Sequence, residues 1–344
     1  MRIDRTRAHQ PAWHMRTKGL IDLQVNGYAG VDFNDADLSA EALDHALTAM
    51  RLAGVGLCLP TLITATDENL AARFAALDRA VANSRLGPIM VPGFHLEGPF
   101  LNPSPASAGC HPAAAMGPAR PEMLARWQAG LRRPILLVTL APEVAGAVDF
   151  IRVARAQGRL VALGHTLAGA AAIGAAVAAG AGLSTHLGNA LSGPVHKFVN
   201  PLTAQLAEDG LCASFIADGI HIPPAALKVF LRAKGLARSM LVTDGTAAAA
   251  MPAGMYRLAR MPIERVADGS VRIPGGATLA GSALCLDQAV RNLVHWRLAG
   301  VREAVALASE RPADFLAPAL AAHGIAVDPG RLEWGPDLRP GWVI

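Results

Sequence analysis

Apolar runs short enough to be strands recur along the chain, and each is followed by a stretch where Ala and Leu repeat at helical spacing. Eight such runs stand out, at residues 20–25, 55–59, 89–95, 135–140, 160–163, 183–185, 212–217 and 240–243. Helical periodicity falls between or after them at 40–53, 67–82, 143–157, 168–179, 224–233 and 282–298. This βα alternation is the pattern of a parallel sheet, and eight units within residues 19–300 predict an α/β fold of the TIM-type (β/α)8 barrel class.

Nearly every run ends in a residue capable of chemistry: Gln24 and Asn26, Thr61, Glu97, Glu143, His165, His186, Asp218 with His221, and Asp244. In a barrel the C-terminal ends of all strands converge on one mouth, so these distant residues become neighbours. A doubly wound sheet would spread them along a crevice instead, and the strand-end pattern favours the barrel.

The pattern changes at 252–281, where three short β-like stretches are separated by Asp268-Gly269 and Pro274-Gly275-Gly276. That segment predicts a β-hairpin inserted after the eighth strand. Residues 1–18 and 317–344 carry little strand pattern and several Pro, Gly and Arg. The expected organisation is a remnant accessory β domain at 1–18, the barrel at 19–316 and a tail at 317–344.

Composition narrows the function. The 344 residues include 31 Lys and Arg against 27 Asp and Glu, a formal charge of +4, and only 17% are charged. A 52% apolar chain with scattered basic residues is neither disordered nor built to coat nucleic acid. Much of the apolar excess is alanine, and no stretch approaches the ~18–20 strongly apolar residues of a membrane span. The charged N-terminus lacks an apolar segment after it, so no secretory signal is visible and a cytoplasmic location is expected. Cys58, Cys110, Cys212 and Cys285 are far apart with no C-x-x-C pair, which predicts free thiols.

A catalytic zinc needs about three ligands from His, Asp or Glu and an open position. Glu97, His165 and His186 supply that count at the ends of the third, fifth and sixth runs. Each alone is an ordinary loop or core residue, but their joint placement at one mouth points to a metal site. Asp244 closes the buried-strand pattern Leu241-Val242-Thr243-Asp244 and can move a proton from attacking water to a leaving group. His111 lies in a Pro/Gly/Ser-rich loop after the third run, where a donor can reach a developing oxyanion. Phosphate-binding glycine loops and a G-x-S-x-G elbow are absent from the sequence.

Taken together, the stretches from Gly19 through Gly27, the HLEGPF run from His95, Thr139-Leu140-Ala141-Pro142-Glu143, Ala162 through Thr166 and the THLxNA run from Thr185 resemble the N-acetylglucosamine-6-phosphate deacetylase family of the amidohydrolase superfamily. So do Ile216 through His221, Leu241 through Asp244 and Thr278 through Ser282, in order over about residues 19–316. The resemblance implies metal-dependent removal of the acetyl group from N-acetylglucosamine-6-phosphate, giving glucosamine-6-phosphate and acetate. Gln24 and Asn26 stand where many superfamily members carry His-x-His, which implies one divalent ion, zinc first with iron or cobalt also accommodated, on Glu97, His165 and His186. It further implies Asp244 as acid/base, His111 as the group polarising the acetyl carbonyl, His221 holding the sugar, and Asn189 and Ala190 meeting the phosphate. A homodimer with phosphate contacts across the interface is also implied, and no nucleic-acid or membrane partner.

Three departures qualify the likeness. Lys197 stands near the family's phosphate-clamping arginine and offers a point charge rather than a bidentate fork. Gly188 replaces an aromatic residue, which is expected to open space near the substrate. Only 18 residues precede Gly19, so the accessory β-sandwich is expected to be reduced. The first two keep a deacetylase of another N-acyl sugar or small amide in play, and the third keeps an inactive sugar-binding barrel.

Overall fold

The computed structural model describes residues 15–191 and 194–343. Its centre is a sheet of eight parallel strands, numbered with all others along the chain. They are β2 (Leu20–Val25), β5 (Val55–Ile63), β6 (Phe94–Glu97), β7 (Ile135–Leu140), β8 (Leu160–Leu163), β9 (Leu183–Ser184), β10 (Cys212–Phe215) and β11 (Ser239–Leu241). Neighbours follow chain order from β2 to β11. The seam between β11 and β2 is drawn together just beyond the strands, where Asp244 donates its N–H to the Gln24 carbonyl at 2.9 Å and Asn26 donates to the Gly245 carbonyl at 2.7 Å. The predicted TIM-type barrel is therefore the observed one.

Helices cover the outside: α1 (Ala40–Leu52), α2 (Asp67–Asn83), α3 (Gly87–Met90), α5 (Pro121–Gln128), α6 (Ala147–Ala156), α7 (Ala170–Ala179), α8 (Pro201–Ala207), α9 (Pro224–Lys234), α10 (Leu286–His295), α11 (Val301–Ala308) and α12 (Glu310–Ala322), while the single turn α4 (Pro105–Ala108) lies at the mouth. Helix α1 shows why the sequence folds this way. The Ser39 side chain accepts from the Ala42 N–H, Glu41 sits in the first turn and Arg51 in the last, matching the helix dipole. Its buried residues Leu43, Ala46, Leu47 and Met50 repeat at helical spacing, so one stripe faces the sheet.

The run at 89–95 is corrected by the structure. Gly87-Pro88 opens a helical turn, since proline suits the first turn of a helix, and Pro92-Gly93 then breaks the chain, so the strand starts only at Phe94. Likewise the helix expected from residue 143 begins at Ala147, and Glu143 lies in a loop. Helix α12 carries the chain past residue 316 and packs on β2 and β11. All four cysteines are free thiols.

The chain ends are more ordered than their composition suggested. The strands β1 (Met15–Lys18), β15 (Arg331–Trp334) and β16 (Pro340–Trp342) form an antiparallel three-stranded sheet. Trp334 is fully buried there and donates from Nε1 to Thr17 Oγ1 at 2.9 Å, while Trp342 donates to the Arg51 carbonyl at the end of α1. Tryptophans rather than β-branched alternation hold this sheet, so the strand pattern was weak. The part of the expected accessory domain at residues 1–14 lies outside the described residues.

A two-residue hairpin of β3 (Gly27–Tyr28) and β4 (Val31–Asp32) follows β2. After β11 the insertion forms three antiparallel strands, β12 (Gly254–Leu258), β13 (Met261–Arg265) and β14 (Val271–Arg272). Its apolar face, with Leu258, Ile263 and Val271, packs on Ile63 at the end of β5 in a small core separate from the main one. Among the described residues, no helix is long and apolar enough to cross a membrane.

Candidate metal centre and active site

Glu97 is the last residue of β6, so the strand itself delivers its carboxylate to the mouth. The next residue, Gly98, has φ +85°, and a Cβ there would lie 2.1 Å from Thr64 Oγ1. Glycine thus lets the Thr64 hydroxyl reach the Glu97 carbonyl at 3.3 Å. His165, His186 and Asp244, each just past the end of its strand, have φ of +51°, +31° and +49°. Left-handed backbone is uncommon for such residues, and its concentration here matches the strain that functional sites hold.

These turns bring three donor atoms together. His186 Nε2 is 3.0 Å from Glu97 Oε1, His165 Nε2 is 3.3 Å from the same oxygen, and the two imidazole nitrogens are 3.2 Å apart. All three residues are buried. His165 Nδ1 lies 2.6 Å from the Ser107 carbonyl, which can only accept, so Nδ1 carries the proton and the Nε2 lone pair faces the cluster. Ligand atoms on a tetrahedral ion at ~2.0–2.1 Å would be about 3.3 Å apart. The separations, the His165 tautomer and the N,N,O donor set therefore fit a borderline cation such as zinc.

Asp244 is wired to the cluster. Gln24 Nε2 donates to Glu97 Oε1 at 3.0 Å and to Asp244 Oδ1 at 3.2 Å, and Asn26 Nδ2 donates to that same Oδ1 at 2.7 Å. Burial and then the charge of Glu97 raise the Asp244 carboxyl to about 6. Burial also presses Glu97 upward, but the imidazoles of His111, His165 and His186 clustered around it outweigh that and hold Glu97 well below the usual carboxylate range. Burial pushes the His111 imidazole down, reinforced by the charge of His165. His186 is the opposite case, because Glu97 outweighs its burial and raises it.

His111 Nε2 is 3.6 Å from Glu97 Oε2, and Nδ1 is 2.9 Å from Thr64 Oγ1. When the single hydrogen of the Thr64 hydroxyl turns from the Glu97 carbonyl to His111 Nδ1, the shorter of its two contacts, a neutral His111 presents Nε2–H to the cavity, as an electrophilic donor must. The cavity at this mouth has a volume of about 230 Å³. Glu97, His111, His165, His186 and Asp244 lie on its wall, with Asn189, Ala190 and His221 along another side. Asp218 Oδ2 is 2.6 Å from His221 Nδ1 and fixes that ring, leaving its other nitrogen free.

Two expectations meet a different geometry. Lys197 is exposed, its ammonium 5.3 Å from the Phe198 ring centre, and it is not on the cavity wall. Among the described residues no Lys or Arg lines the cavity. Gly188 opens no space, because a Cβ there would lie 3.0 Å from Phe230 and 3.4 Å from Ile222, side chains that already fill the place. The sequence pattern did not single out Thr64, Ser107 or Leu258. Ser107 acts through its carbonyl, which every residue has, Thr64 through hydroxyl contacts to His111 and the Glu97 carbonyl that only the folded mouth creates, and Leu258 through packing. Glu143 is off the cavity wall, and it accepts from Asn102, Thr166 and the Leu167 N–H, tying together the loops after β6, β7 and β8.

No family model matches the chain. It is 33% identical to an N-acetylglucosamine-6-phosphate deacetylase of Bacillus subtilis (strain 168) over 285 residues, 82% of this chain and 70% of that protein. It is 35% identical to an N-acetylgalactosamine-6-phosphate deacetylase of Escherichia coli O157:H7 over 298 residues, 86% of this chain and 76% of that protein. Among solved structures, an Asp-to-Ala variant of the N-acetyl-D-glucosamine-6-phosphate deacetylase from Mycobacterium smegmatis, in complex with N-acetyl-D-glucosamine-6-phosphate, superposes with a TM-score of 0.84. That match is 28% identical and covers 95% of this chain and 84% of the other.

Proposed function

The chain belongs to the N-acetylglucosamine-6-phosphate deacetylase family, and on that basis we propose that it hydrolyses the acetamide of N-acetylglucosamine-6-phosphate to glucosamine-6-phosphate and acetate. The observation that carries this reading is the convergence of Glu97, His165 and His186 beside a buried Asp244 that shares a donor with Glu97.

Glu97, His165 and His186 hold one divalent ion, zinc in the first instance. When bound, it supplies Lewis acidity that polarises the amide carbonyl and makes water a stronger nucleophile. The remaining work falls to this chain's own groups. Asp244, with its carboxyl at about 6, is ionised near neutral pH yet basic enough to take the proton of the attacking water. As the C–N bond breaks, the same carboxyl returns that proton to the amine, which leaves as the amino sugar. Gln24 and Asn26 hold the carboxylate in place for both transfers. His111 donates to the carbonyl oxygen as negative charge builds on it. His221, oriented by Asp218, bonds the sugar, and Asn189 and Ala190 bind at the phosphate end.

A second reading, a different N-acyl amino sugar, is favoured by the absence of Lys or Arg from the described cavity wall. In the first reading the cation opposite the phosphate is Lys197, brought in by its segment, or comes from a second copy in a homodimer. Acetate release from N-acetylglucosamine-6-phosphate, N-acetylgalactosamine-6-phosphate and their unphosphorylated sugars, with metal content measured on the same protein, tests both. Activity confined to unphosphorylated amides would replace the first reading with the second. Stoichiometric metal with no turnover of any of the four would leave only a sugar-binding barrel.

A further inference from the structure

The cavity wall is not uniform. His221 and Asn189, which follow β10 and β9, offer polar groups beside Ala190 and Leu191, whereas Ile63 at the end of β5, Cys110 in the loop after β6 and Leu258 supply an apolar patch next to His111. The reacting groups His111 and Asp244 line the same cavity. An amide has two substituents, here a hydroxylated sugar and an acyl chain. If the sugar takes the polar side, as in the function proposed above on which this inference rests, the acyl chain meets the apolar wall.

Leu258 is the unusual member of that wall, because it comes from the inserted sheet rather than from the barrel. It is only 1% exposed and belongs to the same small apolar cluster as Ile63, against which Cys110 packs. Its position is set by an improbable turn. Leu258 pairs with Met261 across a two-residue hairpin tip, Ala259 and Arg260, with φ of +53° and +73°. Such a tip suits Asn-Gly, and neither residue here is of that kind.

Two charged groups from the barrel hold the tip in place. Asp32 Oδ2 accepts from the Ala259 N–H at 2.6 Å, and Arg73 Nη2 donates to the Ala259 carbonyl at 3.3 Å. Arg73 lies on α2 and is only 7% exposed. Both polar groups of the residue after Leu258 are thus fixed from the barrel side, which leaves Leu258 little freedom to retreat from the cavity.

The geometry points to Leu258 as the residue that sets acyl-chain length, with Asp32 and Arg73 as positioning residues that hold it against the cavity. Short unbranched acyl groups such as acetyl fit, and longer ones collide with a wall that cannot withdraw.

The test uses the zinc-loaded full chain and three amides of glucosamine-6-phosphate, N-acetyl, N-propionyl and N-butyryl, which release one common amine. Leu258→Ala is expected to raise the butyryl-to-acetyl ratio of kcat/KM by about 10-fold or more, the scale of a methylene-sized change in an apolar pocket. Leu258→Val, which preserves the fold more conservatively, should move the same ratio in the same direction by less. Arg73→Met should blur the discrimination and Arg73→Lys should restore part of it, whereas a purely structural arginine would lower Tm and leave the ratio alone. An unchanged ratio in both Leu258 variants overturns the inference. Should the parent release no amine from any of the three, the proposed function fails while the inference is still read. Calorimetric Kd values for the same amides then either show a chain-length preference that depends on Leu258, or show none and overturn it.

Discussion

Glu97 and Asp244 share one donor. The two hydrogens of the Gln24 amide are directed at Glu97 Oε1, 3.0 Å away, and Asp244 Oδ1, 3.2 Å away, so two buried carboxylates of opposite assigned role are set by a single neutral side chain. Like charges this deep repel strongly, and the amide offsets part of that repulsion while fixing the orientation of both. Gln24→Leu should therefore lower kcat by about 10²-fold with a small change in KM, the scale of a lost buried hydrogen bond to a charged group. Steady-state kinetics on N-acetylglucosamine-6-phosphate measure it, and a loss confined to KM would remove the positioning role.

Asp244→Asn keeps the shape and loses the proton acceptor. Removal of a general acid/base usually costs 10²–10⁴-fold, so kcat should fall by roughly 10³-fold while metal content stays unchanged. In the parent the carboxyl must be ionised to accept a proton, and its value is raised to about 6 by burial and then by Glu97. Activity should consequently rise with pH on an acid limb near 6. Retained turnover in the variant would show that the proton moves elsewhere.

Metal removal should affect stability as well as activity. The Nε2 atoms of His165 and His186 face each other at 3.2 Å, with Glu97 Oε1 at 3.3 Å and 3.0 Å from them, an arrangement that a cation between the three relieves. An ion that binds only the folded state stabilises it by mass action. Dialysis against a chelator should abolish acetate release and lower Tm, and zinc should restore both. A parallel Glu97→Gln protein should show the low Tm from the start, with no response to chelator.

Much of this site is legible in the sequence because barrel topology converts strand ends into neighbours. His165, His186 and Asp244 each follow an apolar run that is a strand, Glu97 closes the strand that occupies only the end of its run, and a carboxylate or imidazole at such an end has nowhere to go but the mouth. What sequence could not show depends on contacts across the mouth. Nothing in Gly188 reveals that Phe230, forty-odd residues on, already occupies its space. The terminal sheet was missed because its strands are only three or four residues long, so that even the alternation of Arg331-Leu332-Glu333-Trp334 is too brief to stand out. Run 89–95 misled because Ile89, Met90 and Val91 are apolar in a helical turn as readily as in a strand.

His221 owes its orientation to Asp218, whose carboxylate is held below its usual range because the imidazole bond and charge outweigh burial. If His221 binds sugar and takes no part in bond breaking, Asp218→Asn should raise KM several-fold and change kcat little. An equal fall in kcat and kcat/KM would instead place His221 in the transition state.

The last prediction concerns the barrel seam. Asp22 on β2 is completely buried and reaches across to β11's end, accepting from the Thr243 N–H at 3.2 Å and from the Thr243 hydroxyl at 2.6 Å. Burial raises its carboxyl to about 7, although bonds from Thr243 and Gln24 pull the other way. Between the ordinary carboxylate value of ~3.9 and that raised one, the unfolded chain has lost its proton while the folded chain keeps it. The folded state then binds more protons, so this group's contribution makes stability fall as pH rises from about 4 to about 7, and level off above. Asn at this position is neutral throughout. Its oxygen can still accept from the backbone N–H groups of Thr243 and Gln24, and its amide can donate to the Thr243 hydroxyl, which turns to the Gln24 carbonyl at 3.3 Å. Asp22→Asn should accordingly be more stable than the parent at pH 8, by ~1–3 kcal/mol, and the two should converge near pH 4. Asp32, also raised, contributes equally to both proteins, whereas the charge of Asp244 helps to raise Asp22, so the difference between the two curves reports Asp22 together with that coupling. Chemical denaturation across pH 4 to 8 gives that difference directly, and a gap that does not widen with pH would mean the carboxyl is ionised in the folded protein.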